Sequence, residues 1–138
     1  MKLKLKLENA ESKKTQELAN LIRAYNRSKR EPSKSKPLNI YLEDEQGNLK
    51  AGMVAETFGN WLEIEYLYVS DDLRGQGIGS KILKMAERES KERGCKYSFV
   101  DTFNFQAPKF YEKHGYKEVF ALEKYPYTGE RYYYTKEL

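Results

Sequence analysis

The chain has 138 residues, is 39% hydrophobic and 33% charged, and carries a formal net charge of +4 with a pI of about 9.0. That length suits one domain around one core, expected over residues 1–138, and the interspersed acids and bases argue against nucleic acid as a partner. One cysteine (Cys95) and one histidine (His114) leave no internal disulfide and no metal-ligand cluster. No apolar run approaches the roughly 18 residues of a membrane span, so a cytoplasmic protein without a membrane partner is expected.

In chain order, residues 2–7 alternate lysine and leucine, with Leu3, Leu5 and Leu7 on one side, the pattern of a half-buried edge strand. Asn9 or Ser12 can cap a following helix, in which Leu18, Leu21, Ile22 and Tyr25 recur at helical spacing. Residues 28–37 are polar, with Pro32 and Pro37, and form a loop too short to separate domains. Leu38, Ile40 and Leu42 alternate as a second strand. Residues 49–58 and 61–69 follow as two more, joined by a turn at Gly59-Asn60. These three strands read as an antiparallel meander. Ile78, Ile82, Leu83 and Ala86 make the apolar stripe of a helix that Gly94 ends. Residues 96–101 are a fifth strand, reached from the fourth by a parallel crossover. A short helix at residues 107–114 and two last strands near 116–120 and 131–136 complete the order β-α-β-β-β-α-β-α-β-β.

The fourth strand ends in Leu67-Tyr68-Val69 and passes through Arg74-Gly75-Gln76-Gly77-Ile78-Gly79-Ser80 into the helix. A glycine-rich strand-to-helix turn leaves backbone N–H groups unpaired at the positive end of the helix dipole, a site for a phosphate. It is not a Walker A loop, because no glycine immediately precedes Lys81. It is not a dinucleotide fingerprint either, because Ser80 stands where the third glycine belongs.

Arg74-x-x-Gly77-x-Gly79 has the form [QR]-x-x-G-x-[GA], and residues 104–116 fit N-x-x-A-x-x-x-Y-x-x-x-G-[FY] through Asn104, Ala107, Tyr111, Gly115 and Tyr116. Together, at this spacing and on this order of elements, the two motifs resemble the GCN5-related N-acetyltransferase (GNAT) family. The resemblance implies a single-domain mixed α/β fold whose fourth and fifth strands splay apart. It also implies acetyl-CoA as co-substrate, with no metal, and transfer of its acetyl group to a primary amine. In that fold the amides of Gln76, Gly77, Ile78, Gly79 and Ser80 would cradle the CoA pyrophosphate, with Gly75 in the turn and Arg74 closing one side. The backbone of Leu67, Tyr68 and Val69 would bond the pantetheine arm, and Asn104 would hold it from the other side. Tyr111 matches the family's general acid, facing the CoA sulfur.

The base is read from strand periodicity. Glu63, Glu65, Leu67 and Val69 share a face at period two, and Glu65, nearer the pantetheine segment, ranks ahead of Glu63. Asp101 borders the same crevice and can hold a cationic acceptor, with Trp61 and Tyr125 as further acceptor-side candidates. The acceptor is then an amine of a small molecule or peptide, with a cationic one favoured by these acids. The alternative function is a CoA- or acyl-CoA-binding module without turnover. The family's habit of dimerising makes a homodimer a further expectation.

Overall fold

Alternating apolar side chains build a six-stranded sheet in the computed structural model of the chain, which describes residues 1–138. The chain divides into two compact units, Met1–Ser33 and Lys34–Leu138.

The first unit contains helix α1 (Lys13–Lys29). Ser12 caps it in a reciprocal capping box with Thr15. None of its side chains is buried. The strand expected at residues 2–7 does not form: these residues pair with no strand, and Leu3, Leu5 and Leu7 are 85%, 104% and 85% exposed. Alternation makes a segment amphipathic, but a strand exists only where a neighbour takes its N–H and C=O groups. The element order therefore begins with a helix. The loop expected at 28–37 is also shorter, because α1 runs to Lys29 and the next strand starts at Ser35.

The second unit holds β1 (Ser35–Glu43), β2 (Leu49–Phe58), β3 (Trp61–Val69), a short 3-10 turn (Asp71–Leu73), α2 (Ile78–Glu92), β4 (Tyr97–Phe103), α3 (Pro108–Lys113), β5 (Lys117–Glu123) and β6 (Glu130–Glu137). Strands lie in the order β1-β2-β3-β4-β6-β5, antiparallel except for the β3–β4 pair that α2 connects. This is the mixed sheet, meander and crossover that the sequence predicts. Gly94 and Gly115, at φ of +92° and +89°, end the two helices as expected.

One face of the sheet presents Leu38, Ala51, Met53, Ala55, Leu62, Ile64 and Val100, which form one core with Ile82, Leu83 and Ala86 of α2 and with Tyr111, Tyr116 and Tyr134. Full burial of Leu62 and Leu83, both 0% exposed, contributes about 1.5–3 kcal/mol each. The opposite face carries the other half of each alternation: Glu56 on β2, Trp61 and Glu63 on β3, and Phe99 and Asp101 on β4.

Candidate active site

The pairing of β3 with β4 covers only Trp61↔Tyr97, Leu62↔Ser98, Glu63↔Phe99 and Ile64↔Val100. Both strands continue beyond it, β3 to Val69 and β4 to Phe103, but they no longer bond each other. The cause is a bulge. On the β2 side Ala55 pairs with Ile64 and Val54 pairs with Tyr66, so Glu65 is an extra, unpaired residue. An extra residue bends and over-twists its strand, and here it turns the end of β3 away from β4. Meanwhile β4 stays paired with β6 along its whole length, from Tyr97↔Glu137 to Phe103↔Arg131. The outcome is a wedge through the sheet, with one edge formed by Leu67, Tyr68 and Val69, as the resemblance implies.

The bulge corrects the strand-face argument. Period-two counting puts Glu63 and Glu65 on one face with Leu67 and Val69. In the structure Leu62, Ile64, Leu67 and Val69 all pack on the core, and Glu63 lies on the opposite face, cross-strand from Glu56. One inserted residue inverts the parity of everything after it. Glu65 is exposed and has no side-chain partner. Glu63 is half-buried beside Glu56. Burial, and then the shared hydrogen bond and like charge of Glu56, push its pKa up. Ser35 Oγ donates to Glu56 Oε2 at 2.8 Å, which holds this second carboxylate in place.

Tyr111 lies across the sheet from that pair. It is 5% exposed, and its ring is edge-on to Phe110 at 5.2 Å and to Tyr116 at 5.6 Å. Its hydroxyl hydrogen-bonds to no group of the chain. Burial first, and the Asp101 carboxylate second, push its pKa up to about 12, so at neutral pH it keeps its proton. The rings around it are held by polar ties. Tyr116 donates to Glu87 at 2.9 Å and lies 2.7 Å from Ser98 Oγ, Tyr134 donates to Glu112 at 2.9 Å, and Lys136 pairs with Glu87 at 3.0 Å.

At the mouth of the wedge the glycine loop leaves a run of backbone N–H groups open at the start of α2. Gly77 is the N-cap of α2 at φ +77° and supplies no side-chain cap. Gly75 is at φ +80°, and a Cβ on either glycine would meet nothing within 4 Å, so the space in front of the loop is open. None of the N–H groups from residues 75–80 donates to a backbone carbonyl. These residues fit a pyrophosphate. Arg74 lies across the end of β3, with Nε donating to Val69 O at 3.2 Å and a guanidinium nitrogen 2.9 Å from Asp71. Gln76 donates to Asp72 O at 3.3 Å, and the Ile78 side chain packs on the core.

The two sequence motifs meet in space. A Cβ on Gly79 would stand 3.4 Å from the Phe110 ring, and Ser80 Oγ is 2.8 Å from His114 Nε2. Asn104 is partly committed: its Oδ1 accepts from the Glu130 N–H at 3.2 Å, tying β4 to the β5–β6 hairpin.

The acceptor-side candidates separate. Asp101 and Tyr125 come together around Arg131, which the sequence reading missed. Arg131 Nε donates to Asp101 at 2.6 Å, and a second nitrogen donates to Tyr125 Oη at 3.3 Å. The guanidinium also lies 5.4–5.9 Å from the ring centroids of Phe103, Tyr125 and Tyr133. The Asp101 carboxylate is thus already paired with a cation of the chain itself. Only the diagonal between Arg131 and Asp101 on neighbouring strands could have revealed this, and that register is not visible in one sequence. Trp61 stands apart. Its ring lies 5.0 Å from that of Tyr97, tilted by 34°, at the paired end of β3, three residues or about 10 Å before the strands part.

Comparison with known proteins agrees with this geometry. The acetyltransferase (GNAT) domain family matches residues 37–118. An Agrobacterium fabrum acetyltransferase, Atu2258, is 36% identical over 99 residues, 72% of each chain. A Streptomyces morookaense blasticidin-S acetyltransferase is 35% identical over 108 residues, 75% of this chain and 79% of that one. The crystal structure of an Agrobacterium tumefaciens protein assigned as an acetyltransferase superposes with a TM-score of 0.90 at 29% identity, covering 100% of both chains. The chain belongs to the GNAT family and is an acetyl-CoA-dependent N-acetyltransferase.

Proposed function

We propose that the chain acetylates a primary amine of a small molecule, with the acceptor approaching from the sheet face that carries Glu63 and Glu56. Acetyl-CoA supplies an activated acyl group on a thiol leaving group. The loop at 75–80 would bind its pyrophosphate, and the free edge of Leu67, Tyr68 and Val69 its pantetheine arm.

The observation that carries this reading is a pair of groups on the two faces of the sheet. A protonated hydroxyl with no partner, Tyr111, is on one side, and a carboxyl with a raised pKa, Glu63, is on the other. Amine acylation needs a base for the acceptor nitrogen and an acid for the departing thiolate. Glu63 takes the amine proton, and Glu56 beside it raises the affinity of Glu63 for that proton. Tyr111 donates to the sulfur. Glu65, exposed at the bulge, attracts a cationic acceptor and is not the base. The Arg131–Asp101 pair with Tyr125 shapes the acceptor wall. The blasticidin-S relative, whose name gives a small molecule as its acceptor, supports a small molecule over a peptide. We further propose that residues 1–138 function as one domain and that the protein works in the cytoplasm, where acetyl-CoA is supplied. No helix is long and apolar enough to cross a membrane.

The test is an amine panel, including cationic amines and lysine peptides, incubated with acetyl-CoA and read by mass spectrometry for a gain of one acetyl group. Transfer to small amines that disappears in Tyr111→Phe supports the reading. Tight CoA binding with no transfer to any amine would leave a CoA-binding module in its place.

A further inference from the structure

The single histidine has no part in the proton transfers, yet it stands on the cofactor loop. His114 follows the last turn of α3, and its backbone N–H bonds to Tyr111 O at 3.0 Å. Its ring lies 4.8 Å from Phe110, and its Nε2 is 2.8 Å from Ser80 Oγ. Ser80 is in the first turn of α2 and belongs to the run of N–H groups that face the open side of the loop.

We propose that His114 is a positioning residue for the cofactor's pyrophosphate: it orients the Ser80 hydroxyl toward the phosphate and takes up a proton when the phosphate binds. This rests on the pyrophosphate reading of the glycine loop. The argument is a count of protons. The Ser80 hydroxyl has one. If Nε2 is bare, Ser80 donates to it and shows an anion only lone pairs. If Nε2 carries a proton, His114 donates to Ser80, and the hydroxyl proton is free for a phosphate oxygen. A bound anion selects the second arrangement, and a doubly protonated imidazole adds attraction to it.

The surroundings set the direction. Before binding, burial, Lys84 of α2, Lys113 of α3 and Lys136 of β6 hold the imidazole below its usual pKa, and only Glu87 of α2 acts the other way. Bound phosphate charge offsets those lysines and raises the pKa. Binding is therefore linked to proton uptake by His114 and tightens as pH falls. At high pH the Nε2–H tautomer still donates to Ser80, so part of the effect persists.

The experiment is calorimetric titration of the full chain with CoA, in two buffers of different ionisation enthalpy, at pH 6 and pH 8. Wild type is compared with His114→Phe and His114→Gln. The cofactor's own secondary phosphate titrates in the same window, so the readout is the difference between variants. His114→Phe keeps the ring against Phe110 and loses the donor. It should bind CoA about tenfold more weakly at pH 6, and less so at pH 8. His114→Gln keeps an N–H for Ser80 but cannot titrate. It should recover much of the affinity while taking up fewer protons than wild type. Equal affinity and equal proton uptake in all three proteins would overturn the proposal, as would a glutamine variant as weak as the phenylalanine one. If His114→Phe does not fold, the proton uptake of His114→Gln decides alone. Failure of the wild type to bind CoA would instead overturn the pyrophosphate reading beneath it.

Discussion

Replacing Tyr111 with phenylalanine removes one oxygen from a ring that is otherwise fully packed. The hydroxyl makes no hydrogen bond within the chain, so its loss strands no partner. We expect stability within about 0.5 kcal/mol of wild type, which for a chain of this size is about 2 °C in Tm. The chemical effect should be far larger. With its pKa pushed up to about 12, Tyr111 is protonated throughout the working pH range and can donate to a leaving thiolate. Losing a positioned general acid costs about 10²–10⁴-fold in rate, or about 2.7–5.5 kcal/mol of barrier. The assay is steady-state release of CoA thiol, read with a disulfide reagent; Cys95 is 5% exposed and contributes little background. Tyr116→Phe is the control with the opposite signature. It loses contacts of 2.9 Å to Glu87 and 2.7 Å to Ser98, so it should cost about 1–3 kcal/mol of stability and leave kcat nearly unchanged. A Tyr111→Phe enzyme with kcat within about threefold of wild type would refute the acid role and leave Tyr111 a packing residue.

Three more outcomes are expected. The acid limb of kcat/KM should lie above the usual carboxylate range, because the proposed base Glu63 would have to lose its proton to act and its pKa is raised; Glu63→Gln should remove about 10²-fold or more of the rate, while Glu56→Gln should move the limb to lower pH. Gly77→Ala should raise KM for acetyl-CoA about tenfold with a smaller change in kcat, since a Cβ at φ +77° strains the turn by about 1–2 kcal/mol and would enter the open space assigned by the proposal to a phosphate. Arg131→Met should lower stability by about 1–3 kcal/mol by leaving half-buried Asp101 unpaired, and most of that loss should return in the double variant with Asp101→Asn, measured by denaturant melts as a mutant cycle.

The helix boundaries were legible because they rest on local chemistry. Ser12 caps, Gly94 and Gly115 stop, and the stripe of Ile82, Leu83 and Ala86 faces the core wherever the helix is placed. The open N–H groups of the glycine loop were legible for the same reason: they follow from the order strand, glycine, helix. Alternation also identified the strands at Leu38, Ile40 and Leu42 and after Trp61. It failed at residues 2–7, where the pattern is present and the hydrogen-bonding neighbour is not. It failed again at Glu65, where one unpaired residue reverses which side chains face which way.

Those failures share a cause. A sequence states what each residue prefers locally, and by itself it determined the helix-ending glycines, the apolar stripe of α2, the open N–H groups of the glycine loop and the motif from Asn104 to Tyr116. Register, by contrast, is a relation between strands that are distant in the chain. Only the tertiary structure decided that β3 leaves β4 after Ile64, that Glu63 rather than Glu65 stands beside a second carboxylate, and that Asp101 is already paired with Arg131. Each of these depends on which backbone N–H meets which carbonyl across the sheet. A shift of one residue there moves a side chain from one face to the other at no cost that the local sequence records.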